Sequence, residues 1–116
     1  MKVSFEGIGE SVVTFYNSDG AAAKAGDPVM LSGNGEICTC SEGERLIGVA
    51  LACDESFAAV QTKGYIELPY SGEAPAVGYA SLVANGLGGV KAAASGGGEF
   101  LIIEVDEAAK VLGLML

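Results

Sequence analysis

Asp27-Pro28-Val29-Met30-Leu31, Leu46-Ile47-Gly48-Val49-Ala50-Leu51 and Lys63-Gly64-Tyr65-Ile66-Glu67-Leu68-Pro69 are three strand-length apolar runs, each with Gly or Pro beside or inside it. Pro28 has no amide hydrogen, so it belongs at the start of a strand or on an edge, and Val29-Met30-Leu31 reads as a short strand entered from a turn. Ser32-Gly33-Asn34-Gly35 supplies the backbone angles of a tight hairpin, and Glu36-Ile37-Cys38-Thr39-Cys40 returns. Leu46 to Ala52 follows as a continuous apolar strand, with Gly48 marking a bulge or a close backbone approach. Phe57 to Thr62 and Tyr65 to Leu68 are two more strands about Lys63-Gly64, the second ended by Pro69.

On the N-terminal side, Val12-Val13-Thr14-Phe15-Tyr16 is a strand candidate followed by the turn residues Asn17-Ser18-Asp19-Gly20. Residues 1–20 as a whole are loosely patterned and read as an arm, and residues 21–116 as the body. On the C-terminal side, Tyr79 to Ala84 runs into Asn85-Gly86, a second hairpin-type turn. Val90-Lys91-Ala92 leads to a Gly-rich segment at Ser95-Gly96-Gly97-Gly98 that reads as flexible. Glu99 to Val105 alternates as a strand, and Lys110 to Leu116 is an apolar strand tied into the sheet. The expectation is a single-domain, all-β, helix-poor body, a small β-barrel or β-clip-like fold of about nine short, mostly antiparallel strands. A weak internal echo, Gly26–Gly35 with Gly78–Gly86 and Leu46–Leu51 with Val111–Leu116, fits a barrel of two similar halves.

The composition agrees. In 116 residues there are 18 Gly, four Phe, four Tyr and no Trp, a mixture suited to closely packed strands and many turns. Six basic against fifteen acidic residues give a net charge of -9, a field that repels phosphate backbones and anionic lipid, so neither nucleic acid nor membrane is an expected partner. No run approaches the length of a membrane helix, and the opening residues lack the apolar core of a signal peptide.

Three cysteines, Cys38, Cys40 and Cys53, suggest reduced thiols rather than a disulfide framework. Cys38 and Cys40 share one side of a strand and Cys53 could join them. With no His and no C-x₂₋₄-C spacing, however, small apolar thiols are the favoured reading over a zinc site. The missing His also removes the commonest general base. Carboxylate pairs among Glu36, Glu42, Glu44, Asp54, Glu55 and Glu67 are formally open, but their turn-like, wet settings favour plain solvation over catalysis. No cofactor is implied. Tyr65, Tyr70 and Tyr79 lie near one loop region and read either as contact anchors or as fillers of a barrel end.

The order Pro28-Val29-Met30-Leu31, Ile47-Gly48-Val49-Ala50, Cys53-Asp54-Glu55-Ser56 and Thr62-Lys63-Gly64-Tyr65 resembles the head-decoration proteins of tailed bacteriophages, over residues 25–70. Gly64-Tyr65-Ile66-Glu67-Leu68-Pro69 is similar to a strand of related small phage capsid proteins. The resemblance implies a non-enzymatic protein that trimerises on the outer surface of the mature head, binds the major capsid protein and stabilises the shell by cross-linking capsid subunits. It also implies an N-terminal arm that orders on the capsid, with Phe5, Ile8, Phe15 and Tyr16 as the contact candidates. Before assembly such a protein resides in the host cytoplasm. The rival readings are a small-barrel module for peptide or carbohydrate around Tyr65, Tyr70 and Tyr79, and an enzyme using thiol or carboxylate chemistry.

Overall fold

Ten strands carry the fold in the computed structural model, which describes residues 10–20, 23–94 and 96–116. They are β1 (Ser11–Asn17), β2 (Pro28–Gly33), β3 (Glu36–Thr39), β4 (Gly48–Cys53), β5 (Phe57–Lys63), β6 (Tyr65–Pro69), β7 (Gly78–Ala84), β8 (Val90–Ala92), β9 (Gly98–Asp106) and β10 (Val111–Met115). The all-β, helix-poor class expected from the sequence is the one observed, with ten strands in place of about nine. Val90-Lys91-Ala92 is too short to show a pattern of its own and becomes a strand through its pairing with β7. Two of the neighbouring glycines are also packed, Gly96 being open: a Cβ on Gly97 would fall 2.8 Å from the Leu82 carbonyl oxygen, and Gly98 already belongs to β9.

β1 to β5 close into a barrel in the order β1-β3-β2-β4-β5. Pro28 opens β2, and the Cys40 amide donates to its carbonyl at 3.0 Å. Gly35, at φ 68°, turns the chain back into β3. Gly48 is a point of close approach, since a Cβ there would overlap the Gln61 carbonyl, while the β-bulge of this strand pair lies at Leu51. Closure depends on β1, antiparallel to β5 from Val12 to Tyr16 and parallel to β3 at Tyr16↔Glu36 and Asn17↔Ile37. Residues 11–17 of the segment read as an arm are therefore part of the barrel wall, so the body includes β1 rather than beginning at residue 21, and residues 1–9 lie outside the described residues.

The core has two parts. Val29, Ile37, Ala50, Ala58 and Val60 fill the barrel, with Phe15, Ile47 and Cys53 against them. Leu68, Tyr70, Leu82, Val90, Ile102, Leu112 and Leu114 form the larger cluster on the second sheet, and Cys40, Leu46 and Val49 join it from the first half with Met30 alongside. The outer side of β2 and β4 thus supplies part of the second core, which makes the ten strands one body.

The second sheet, β6-β10-β9-β7-β8, repeats the first in strand order and direction. Reading around the barrel as β3-β2-β4-β5-β1, each strand has a counterpart in β8-β7-β9-β10-β6. The parallel β1–β3 contact that closes the barrel is matched by a parallel bridge from Tyr70 to Val90. Individual hydrogen bonds repeat as well. Asn17 N–H to Ser56 O (2.9 Å) and Ser18 N–H to Ile37 O (3.0 Å) correspond to Tyr70 N–H to Lys110 O (3.0 Å) and Ser71 N–H to Val90 O (3.0 Å).

Both halves carry the same bulge and turn. The unpaired residue is Leu51 in β4 and Ile103 in β9, and the next turn opens on Asp54-Glu55 or Asp106-Glu107. The Asp54 carboxylate accepts from the Ser56 and Phe57 amides, and the Asp106 carboxylate accepts from those of Ala108 and Ala109. The chain is an internally duplicated five-strand unit. Asp54→Ala and Asp106→Ala are therefore expected to lower the melting temperature by comparable, modest amounts, each less than the Gly48 substitution discussed below. Two calorimetric scans check this.

Of the two sequence echoes, the Asn34-Gly35 and Asn85-Gly86 hairpins do occupy equivalent places, β2–β3 and β7–β8. The second echo does not, because β4 corresponds to β9 and β10 to β5. Leu46–Leu51 and Val111–Leu116 are alike only as apolar runs around a glycine.

Candidate interaction surface

Side chains directly opposite across paired strands share a face, so the register fixes what the barrel shows to solvent. Phe15 pairs with Ala58 on the inner face and packs against the first core. Tyr16 pairs with Phe57, and Thr14 pairs with Ala59, which pairs with Ala52, all on the outer face. Tyr16 is 59% and Phe57 47% exposed, their ring centroids 5.3 Å apart and tilted by 31°. Beside the rings, Thr14, Ala52, Cys53, Asp54, Phe57 and Ala59 line a shallow depression of about 260 Å³. Small side chains form its floor and Phe57 its wall.

The rim is acidic. Glu36 lies opposite Tyr16 across the β1–β3 contact, and Asp54 and Glu55 are exposed in the β4–β5 turn. The amides of Phe57 and Ser56 hold the Asp54 carboxyl below its usual pKa, so it carries its charge at neutral pH.

The duplicated half presents the same three-strand face with different chemistry. Glu67, Gly113 and Glu104 stand where Thr14, Ala59 and Ala52 stand in the first half, and Pro69 and Val111 replace Tyr16 and Phe57. Glu67, Glu104, Val111 and Gly113, with Asp106, line a depression of about 220 Å³. The Tyr65 ring lies over Gly113, where a Cβ would overlap it, and its hydroxyl donates to Glu67 Oε2 at 3.1 Å. Burial, then the hydrogen bond to Glu67 and the charges of Glu67 and Glu104, push the Tyr65 phenol up to about 12.

The sign of the consequence follows from linkage. An unfolded tyrosine ionises near pH 10 and the folded one near 12, so the stabilisation is complete below about pH 10 and is lost as pH rises toward 12. An ultraviolet titration is expected to show one tyrosine ionising about two units above an ordinary phenol, moving down in Glu67→Gln.

Of the four contact candidates, Tyr16 is on the surface, Phe15 faces the core, and Phe5 and Ile8 lie outside the described residues. Phe57 was not among them: its strand is legible, but its placement beside Tyr16 depends on the long-range pairing of β1 with β5. The three tyrosines do not form a groove. Tyr70 is 4% exposed within the second core, with Lys110 Nζ 5.3 Å from its ring centroid. Tyr65 and Tyr79 stand at opposite ends of the cross-strand row Tyr65–Met115–Leu101–Tyr79.

The cysteines are divided as well. Cys40 belongs to the second core and Cys53 packs against the first. Burial, with Glu44 and Cys38 adding, raises the Cys40 thiol to about 12; burial also raises Cys38, helped by Asp19 and Glu44, and Cys53, helped by Asp27 and Asp54. Thiols so shifted are protonated at neutral pH and poor nucleophiles. Among the described residues, no group of three or more His, Cys, Asp or Glu side chains could hold a metal ion.

The carboxylates named from the sequence are scattered in role. Glu42 pairs with Lys91 at 2.6 Å, which lowers its pKa, Glu44 accepts from the Ser41 amide, and Glu67 accepts from Tyr65. Glu104 and Asp106, which complete the acidic face with Glu67, were not singled out from the sequence, because their pairing with β10 is not visible in it. Compared with models of known protein families and with curated proteins, the chain matches none.

Proposed function

We propose that this protein is a capsid decoration protein of a tailed phage or prophage, a non-enzymatic homotrimer on the outer surface of the mature head that stabilises the shell by cross-linking capsid subunits. The observation that carries the reading is that the resembling motifs fall on successive parts of one all-β body. Pro28-Val29-Met30-Leu31 opens β2, Ile47-Gly48-Val49-Ala50 enters β4, and Gly64-Tyr65-Ile66-Glu67-Leu68-Pro69 enters β6. The closed barrel of β1 to β5, in which each strand is paired on both sides, suits a load-bearing cement. The acidity is compatible with an exterior position away from the genome.

The test is co-sedimentation with mature heads of the parent phage. Bound protein is expected with the intact chain, and absence of binding would refute the reading. The truncation that probes an arm ends at residue 9, since a cut through Asn17 would remove β1 and open the barrel. If Phe5 and Ile8 contribute, removal of residues 1–9 weakens binding while the circular dichroism spectrum stays β. Unchanged binding would remove the arm from the mechanism and leave the body as the contact.

A further inference from the structure

The duplication supplies an internal control for the two exposed rings. At the places of Tyr16 and Phe57 the second half carries Pro69 and Val111, and at those of Thr14, Ala59 and Ala52 it carries Glu67, Gly113 and Glu104. Both halves form the same strands with the same bulge and turn, so the architecture does not require aromatic side chains on this face. Two large rings, 59% and 47% exposed, nevertheless stand together there over a small-residue floor. Isolated exposed apolar residues need no explanation, but a contiguous patch beside a depression and rimmed by charge marks a contact surface.

We infer that the outer face of β1, β5 and β4, centred on Tyr16 and Phe57, is the capsid-docking surface, and that it receives an apolar protrusion flanked by Lys or Arg. This inference rests on the decoration reading. The chemistry of the occupant follows from the rim. Glu36 opposite Tyr16, Asp54 beside Phe57 and the exposed Glu55 in the same turn put negative charge at the edge of this face, with Asp54 held ionised by backbone amides, so a partner with basic flanks is drawn in and correctly oriented. A second copy of the chain is a poor match. It brings fifteen acidic and six basic residues, and two of its cations already have partners: Lys91 binds Glu42, and Lys110 lies over Tyr70 and donates to Gly72 O.

The experiment is quantitative binding to mature parent heads by the intact chain and four variants, each first checked for wild-type melting. Tyr16→Ser/Phe57→Ser removes the rings. Thr14→Arg puts a positive charge at the exposed floor without touching the core, and decides the matter if the double variant melts early. Glu67→Gln/Glu104→Gln alters the equivalent face of the second half.

The first two variants are expected to weaken binding by about tenfold or more, the scale at which interface aromatics act, and the third to leave it unchanged. Wild-type binding should fall with added salt, and less steeply in Glu36→Gln/Glu55→Gln. Wild-type affinity in Thr14→Arg and in a folded double variant would overturn the docking assignment and leave the decoration reading standing. Failure of the wild type to bind heads would overturn both. A head-free oligomer that dissociates in the ring variants would assign this face to a second copy and overturn the capsid assignment.

Discussion

Gly48→Ala is expected to destabilise the protein by about 3 kcal/mol, the upper range for forcing extra volume into a packed site. The added methyl would overlap the Gln61 carbonyl and come 2.9 Å from Val60 Cγ1, in the β4–β5 pairing of the barrel wall. Neither neighbour can yield cheaply: one is backbone and the other a side chain that is 0% exposed. A fall of about 10 °C or more in melting temperature is the readout. Gly113→Ala is the contrasting case, because its methyl meets the far end of the Tyr65 side chain. That ring can swing away, so the expected cost is below about 1 kcal/mol, and the change appears instead as a lower ionisation point for Tyr65. Equal losses in the two variants would refute this account of the two glycines.

Gln61→Leu is expected to cost about 2 to 3 kcal/mol, read from the midpoint of urea denaturation. Gln61 is 3% exposed, and its Nε2 donates to the carbonyls of Lys63 (3.1 Å) and Tyr65 (3.0 Å), on either side of the joint between the halves. Leucine fills similar space but leaves both carbonyls without that donor in a site of limited water access. Thr62→Val, next to it on the same strand, removes only a 3.4 Å contact to the Ser11 carbonyl and is expected to stay within about 0.5 kcal/mol of wild type. A neutral Gln61→Leu would mean that the two Gln61 hydrogen bonds do not hold the joint.

Local chemistry was the legible part. Pro28 as a strand start, Asn34-Gly35 and Asn85-Gly86 as turns, Lys63-Gly64 as a break between strands and the apolar runs on either side are each written in two to seven residues. Pairing between distant segments was not. Val12, Val13 and Tyr16 are exposed in β1, so their pattern carries no burial signal, and only the contacts with β5 and β3 make that strand part of the barrel wall. The duplication was half visible for the same reason: the Asn-Gly turns announce it. Its other marker, Asp-Glu after a bulged strand, is obscured by differing flanks, Ala-Cys in one copy and Glu-Val in the other. Tyr16 could be named from the sequence as a contact candidate. Its neighbour Phe57, some forty residues away, could be identified only once the register was known.

Gly64, at φ 102° between β5 and β6, also bounds the route of the chain as a whole. Glu10 Cγ would lie 2.8 Å from a Cβ at this position, and the Leu116 amide donates to the Gly64 carbonyl at 2.9 Å. Residues 10 and 116 therefore meet at one spot. A short linker joining them, with a new opening cut in the exposed Gly72-Glu73 loop, would give a circular permutant with every strand pairing retained, and cargo fused at either position would leave the surface from the same point.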